Sequence, residues 1–298
     1  MSEYIRHGAI KISYRENENW IILSEIEQSI KKKIEQVGTP LKDWDIKINR
    51  GILTGLNEAF IISKEKKDEL IKADPKSAEI IRPILRGRDI KKNEINFSEK
   101  YLIALFPSKK YNIDNYPAIK DWLINGEWVQ IKTKGNPATP IGTGKERLEQ
   151  TGKTHIVNGI KFRSRKKTSN KWFETQDSIG YWDDFSKPKI LFSEMVQTPK
   201  FYLDKYNYFA NDTVTFISGE NLDYLIKFLN SKIVFGVFKF FYAGGGLGEK
   251  GIRVKKTFLQ DLPIPQIPLL AENDDEIDRE IQSILALSDQ EIDCLVEI

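Results

Sequence analysis

The chain is poor in the residues that build disulfide frameworks and zinc centres. Its 298 residues include one cysteine, Cys294, and two histidines, His7 and His155. A single thiol excludes an intramolecular disulfide, and so few thiols and imidazoles leave little material for a tetrahedral zinc site. Long hydrophobic runs are lacking too. The longest apolar stretch near a helix, 233–243, is interrupted by Lys239 and is too short for a bilayer. Residues 1–10 carry no secretory-signal pattern, because Arg6 and His7 interrupt the apolar positions. These absences predict a cytoplasmic protein with no membrane partner. Strong net charge is also missing, the formal balance being +3.

That balance conceals an asymmetry. Residues 270–298 hold ten Asp or Glu against Arg279 alone, which leaves 45 Lys and Arg against 33 Asp and Glu in residues 1–269, about +12. A basic body with an acidic end suits a polyanion-binding module. A solvated surface beside an acidic helix gives the same counts.

The hydrophobic pattern mixes short strands and helices without regular alternation, which predicts an α+β fold. Ser24 and Glu27 form a capping box for a helix over 24–37, stopped by Gly38, Thr39 and Pro40. Strands are expected around Ile46 and Ile48, over 59–62, 100–106, 189–192, 201–203 and 213–217. Helices are expected after Ser63, after an Asp74 cap with Pro75 in the first turn, and from Pro117 to Leu123. Asn221 is expected to cap a helix running through Phe238 and Phe241 to Gly244. LPIPQIP reads as an extended exit, followed by two amphipathic helices, the second opened by a Ser288–Glu291 capping box. Residues 128–171 read as a long, polar, irregular segment, and loops of that length are usually functional or disordered.

Catalytic signatures fail one after another. Gly152, Lys153 and Thr154 end a phosphate-loop pattern, but Arg147 stands where its leading glycine belongs. Gly244, Gly246, Lys250 and Gly251 do not complete a dinucleotide fingerprint and follow a helix instead of a strand. Glu65-Lys66-Lys67 matches a nuclease E-x-K but sits in a run of surface-type charge. Asn136-Pro137-Ala138-Thr139 lacks the second proline and the base-stacking aromatic of an amino-methyltransferase tetrapeptide. His155 has no nucleophile that sequence can nominate.

Recognition material is plentiful. The segment 161–172, KFRSRKKTSNKW, has six basic residues and no acid, with hydroxyls and an amide interleaved. Lys161, Arg163, Arg165, Lys166, Lys167 and Lys171 suit phosphates, arginines can fork onto guanine, and Trp172 offers a flat face. Arg86 and Arg88, with Arg82 nearby, form a second basic cluster, for which the stronger reading is that the arginine stems cover a core edge while pairing with Asp89. Lys250, Arg253, Lys255 and Lys256 follow the glycines of FYAGGGLGEKGIRVKK, where bare backbone could approach phosphate closely.

Several stretches occur in one order: TGLNEAFII, DPKSAEIIRPILRGRDI, YPAIKDWL, KPKILFSE, FYLD followed by YFANDTVTFI, NLDYLIKFLNSK and FLQDLPIP. Over about 41–268 the chain resembles the TaqI-like C-terminal specificity domain of restriction–modification enzymes and adenine-specific DNA methyltransferases. The resemblance implies a mixed-sheet target recognition domain at 41–268 that grips double-stranded DNA. Residues 1–40 would be a helical connector from an absent catalytic domain, and 269–298 an acidic helical tail. It implies no catalysis on this chain. S-adenosylmethionine and magnesium would belong to the absent methyltransferase or nuclease domain, or to a partner subunit carrying it. Arg50, Thr54 and Asn57, in the start motif with Gly51 and Gly55, are assigned to DNA contact, with a purely structural role equally open. Asn211, Asp212 and Thr213 are expected to fix a turn, base-reading positions are expected within 128–171, and the glycine-basic segment is expected on the DNA backbone. Two other readings are an unrecognised metal-dependent nuclease resting on Glu65 and Lys67, and a scaffold whose acidic tail docks a partner.

Overall fold

A computed structural model describes residues 23–243 and 251–296. The described chain divides into two compact units. One takes the described residues of Met1–Ile46, Met195–Pro199 and Glu220–Ile298; the other takes Lys47–Glu194 and Lys200–Gly219. This division differs from the boundaries expected at 40 and 268: the described residues of 220–296 fall in the same unit as Glu25–Val37.

The first unit is mostly helical. Glu25–Val37 begins with the expected capping box: Glu27 N–H donates to Ser24 Oγ, and Ser24 N–H donates to the Glu27 carboxylate at 2.5 Å. Ile30 and Ile34, one turn apart, form its buried stripe. Gly38–Pro40 pairs antiparallel with Pro263–Pro265, so LPIP is a paired strand. The prolines are tolerated in this short two-stranded pair, where few ladder bonds are at stake. The helix expected from Asn221 to Gly244 is interrupted. Leu222–Leu229 ends at Asn230, and Ser231 starts Lys232–Val237 by accepting from Val234 N–H. Asn221 is no side-chain cap either: it sits at φ 58° and makes no capping hydrogen bond. Gly236 is required where it stands, since a Cβ there would lie 2.6 Å from the Leu295 carbonyl oxygen. Asp274–Ile284 and Asp289–Val296 complete the unit, the latter preceded by the expected Ser288–Glu291 box.

Glu291 is the unit's buried polar anchor. It accepts from Ser29 Oγ at 2.7 Å and Lys33 Nζ at 2.6 Å, tying the acidic C-terminal helix to Glu25–Val37. Burial alone would raise its carboxyl pKa, but the hydrogen bonds from Lys33, Ser288 and Ser29 win and pull it down to about 2.

The second unit is built on two four-stranded sheets. One has the order Phe201–Asp204, Lys189–Ser193, Val214–Gly219, Ile46–Arg50, with Lys189–Ser193 antiparallel to both its neighbours. The other runs Phe209–Ala210, Ile81–Leu85, Lys100–Ile103, Ile61–Ser63; its first pairing is parallel and the other two antiparallel. The fold is therefore α+β with a mixed sheet, as expected. Val214 to Ser218 are all buried, which explains why VTFIS reads as a continuous run without alternation. Phe185 packs 4.6 Å from Phe209 and 4.7 Å from Phe216, ring centre to ring centre, and so ties the two sheets together. Lys189 and Asp204, both fully buried, pair at 2.5 Å, and Asp204 also accepts from Tyr206 and Tyr208 N–H.

Three local expectations need correction. The strand over 59–62 is a helical turn, Asn57–Phe60, followed by Ile61–Ser63. The helix after Asp74 is a 3-10 turn, Pro75–Ile80, although Asp74 does accept from Lys76 N–H. The segment 128–171 is far from structureless: it contains the helix Gly144–Leu148 and a two-stranded ribbon, Thr154–Val157 with Ile160–Arg163.

Candidate nucleic-acid interface

The ribbon is written locally in the sequence. Asn158 at φ 50° and Gly159 at φ 76° form a two-residue left-handed turn between THIV and IKFR. Asn-Gly between β-branched runs is the strongest short-range hairpin signal, because both residues tolerate the positive φ that matches strand twist. That signal lay in the sequence and was overshadowed by the polar composition around it.

Pairing fixes two faces. Thr154 opposes Arg163 and Ile156 opposes Lys161; His155 opposes Phe162 and Val157 opposes Ile160. Since side chains alternate along a strand, the first two pairs share one face and the second two the other. All four residues of the first face are exposed, Ile156 by 70%, whereas Phe162 on the opposite face is buried and stacks on His155 with ring centres 5.6 Å apart. The ladder continues toward the body of the unit: Ser164 N–H donates to Lys153, Gly152 to Arg165, Arg165 to Glu149 and Thr168 to Gln150.

At this root stands Arg165, and the structure corrects its assignment as a DNA contact. It is buried, and its guanidinium donates to the carbonyls of Leu148 (2.9 Å), Thr54 (2.7 Å), Trp172 (2.8 Å) and Glu174 (2.8 Å) while lying 5.2 Å from the Phe60 ring centre. A planar fork of five donors suits several convergent carbonyls, which a lysine could not span. Burial, with the nearby Arg147 charge, pushes its pKa down to about 9, so it remains charged at neutral pH. Arg147, also buried, donates to the Arg163 carbonyl and to Thr133 Oγ1. Gln150 adds donations to the carbonyls of Lys171 and Glu174.

Beside the ribbon root opens a cavity of about 450 Å³, lined among others by Asn57, Lys134, Asn136, Arg147, Ser164 and Gln176. Amide side chains and cations dominate this set, with Glu58 and Asp212 as its acids. Asn136 also accepts from Arg163 N–H at 2.8 Å, so the 133–136 turn borders the ribbon.

The remaining assignments separate by exposure. Arg50 is exposed, close enough to the Asp177 carboxyl to oppose the rise that burial causes there. Thr54 is fully buried, donating from Oγ1 to Asn57 Oδ1 at 2.7 Å and accepting from Leu56 N–H; it holds the turn, and its side chain is not offered to solvent. Asn57 itself is exposed at the cavity. Gly51 is required for close approach, since a Cβ would fall 1.9 Å from the Asn211 carbonyl oxygen. Asn211 Oδ1 accepts from Thr213 N–H and Oγ1, which fixes the turn expected there. Arg86 is clamped on Asp89 and Ser98, whereas Arg88 is exposed.

Lys161, Arg163, Lys166, Lys167 and Lys171 are exposed, and Trp172 is half-buried, edge-on to Phe173. Arg253 and Lys256 are exposed and Lys255 half-buried in the first unit; Lys250 and the glycines Gly244 and Gly246 lie outside the described residues. The ribbon and the described residues Arg253, Lys255 and Lys256 thus belong to different units. Of the E-x-K match, Lys67 pairs with Asp68 at 3.0 Å and lies 4.5 Å over the Tyr101 ring. Among the described residues no three His, Cys, Asp or Glu are grouped to hold a metal ion, and no helix is long and apolar enough to cross a membrane.

What fold and site define together is a mixed-sheet α+β unit that projects a basic, two-faced ribbon beside a polar cavity. A family model, the TaqI-like C-terminal specificity domain, matches residues 82–264, and the chain belongs to that family. No curated protein matches it. Among solved structures, the chain is similar to the type IIL restriction-modification enzyme MmeI, solved in complex with DNA, at 13% identity and a TM-score of 0.44 over 87% of this chain and 33% of that one. It is similar to the type IIG restriction endonuclease BpuSI at 13% identity and a TM-score of 0.44, over 88% of this chain and 28% of that one. The chain therefore spans a third or less of the length of these enzymes.

Proposed function

We propose that the chain is the sequence-specific duplex DNA recognition module of a restriction–modification methyltransferase or endonuclease, and that it carries no catalytic centre of its own. Membership of a specificity-domain family over 82–264 is the observation that carries this reading. The exposed basic ribbon and its neighbours Lys166, Lys167 and Lys171 supply the physical complement. Cations neutralise phosphates and release counterions, which gives affinity, while side chains that reach base edges give sequence preference.

In this reading S-adenosylmethionine and magnesium are held by a catalytic domain or subunit outside the chain, and the protein works in the cytoplasm beside it. Gly152, Lys153 and Thr154 lie at the ribbon root and on its first strand instead of between a strand and a helix, and Lys67 is occupied by Asp68 and Tyr101. No step of recognition is routed through a metal or cofactor.

The test is retention of a randomised duplex pool by the full chain at low and moderate salt, followed by sequencing. Enrichment of one short motif, with affinity falling steeply as salt rises, is the expected result. Uniform retention would reduce the chain to a non-specific clamp. An absence of retention at every salt would remove the DNA reading altogether.

A further inference from the structure

The inner face of the ribbon carries a buried aromatic, whereas its outer face carries only exposed side chains. On the inner face Phe162 is buried and stacked on His155. On the outer face Thr154, Ile156, Lys161 and Arg163 are all exposed. Ile156, in the middle of this face, is 70% exposed. Lys161 opposite it makes no ion pair among the described residues. Arg163 uses Nε on the Gly152 carbonyl at 3.1 Å and leaves its Nη groups without a carboxylate. The outer face therefore presents one methyl-rich side chain, one hydroxyl and two cations, and no acid.

Dimensions choose between the grooves of a duplex. Four paired residues span roughly 13 Å along the strands, and two strands about 5 Å apart with their side chains fill a width near 10 Å. The major groove, about 12 Å wide, admits a two-stranded ribbon, whereas the minor groove at about 6 Å does not. The chemistry points the same way. An isoleucine suits the thymine methyl, arginine or lysine suits guanine O6 and N7, and threonine accepts either partner; the methyl and N7 lie only in the major groove. The root is built to hold such a probe still, since Arg165 and Arg147 fasten the second strand and its continuation to the body of the unit through five backbone carbonyls.

We propose that the ribbon is the base-reading element: its outer face enters the major groove, Ile156 and Thr154 discriminate by contact with base edges, and Lys161 and Arg163 bond guanine or the flanking phosphates. This rests on the DNA-recognition reading above and assigns the reading within it to four residues. Ile156 is a specificity residue that charge-based reasoning passes over.

The experiment uses the full chain and the motif that it enriches from a randomised pool. Selection is repeated with Ile156→Ala, Lys161→Ala and Arg163→Ala, and thermal unfolding of each variant confirms that these exposed positions leave the fold intact. In parallel, the parent is tested on the enriched duplex with uracil replacing each thymine, which removes the methyl, and 7-deazaguanine replacing each guanine, which removes N7. The expected result is that Ile156→Ala relaxes or changes preference at one or two adjacent positions. Substituting the duplex at or next to those positions should weaken retention by about five- to one-hundred-fold. If the parent enriches a motif but all three variants select the same motif with the same preference, the ribbon is not the reader, although the module remains a specificity domain. Retention that is insensitive to every major-groove substitution likewise overturns the proposal. A parent that enriches no motif removes the recognition reading, and the ribbon's role falls with it.

Discussion

Two regions of one basic segment behave in opposite ways. Arg163 and Arg165 stand two residues apart on the same side of the ladder, with the same charge and the same reach. Arg163 is exposed with its Nη groups open, while Arg165 is buried under four carbonyls. Across the ribbon the contrast repeats: Phe162 is buried and Ile156 points to solvent. The lesson is that a basic run is no uniform surface. A guanidinium becomes structural where carbonyls converge, and it is available to a polyanion only where they do not.

The contrast is broken most directly at the root. Arg165→Ala leaves four carbonyls without their donor, and Phe162→Ala empties a fully packed site; each is expected to lower stability by about 3–5 kcal/mol. Urea unfolding followed by tryptophan fluorescence measures this, and a loss below about 1 kcal/mol for Arg165→Ala would show that the root is not rigidly anchored.

A calibration comes from the other unit, where Glu291 is a buried charge with a cationic partner. Its folded pKa of about 2 lies below the ordinary 4.5, so its contribution is fully present above pH 4.5 and is lost as pH falls through 2. Glu291→Gln is expected to cost on the order of 1.5–3 kcal/mol at neutral pH. The variant should also lose less stability than the parent between pH 4.5 and 2. Equal acid sensitivity of the two proteins would refute this assignment.

On the outer face the effects move from folding to binding. Arg163→Ala is expected to keep stability within about 0.5 kcal/mol, weaken DNA binding by about 1–3 kcal/mol, and, if the lost contact is to phosphate, lower the salt slope by about 1. Titration at several salt concentrations separates a base contact from a phosphate contact. The smallest effect is reserved for Ile156→Ser, which should change thermal stability by no more than about 0.5 kcal/mol. A large loss there would mean that Ile156 is packed, and the two-face contrast would collapse.

Much of the fold was legible. The capping boxes at Ser24 and Ser288, the helix starting after Ser63 and the strands at 46, 100, 189, 201 and 214 were written in periodicity and cap chemistry, which act over four residues or fewer. The helix break at Asn230–Ser231 was hidden by an uninterrupted apolar pattern, although Ser231 was itself a cap signal. The ribbon turn was equally local, and its Asn158–Gly159 pair was masked by the polar composition of 128–171.

The sequence by itself determined the α+β class, most element starts, the basic character of 161–172 and the ordered stretches that mark the family. These depend on residue type and short spacing, and they survive without knowledge of contacts. Only the tertiary structure decided which basic residues are struts and which are free. Arg165 meets Thr54, 111 residues away, and no local pattern encodes that meeting. The tertiary structure likewise decided that Thr54 is sealed inside a turn and that Ile156 faces water, because burial is set by which strands and carbonyls arrive from distant parts of the chain.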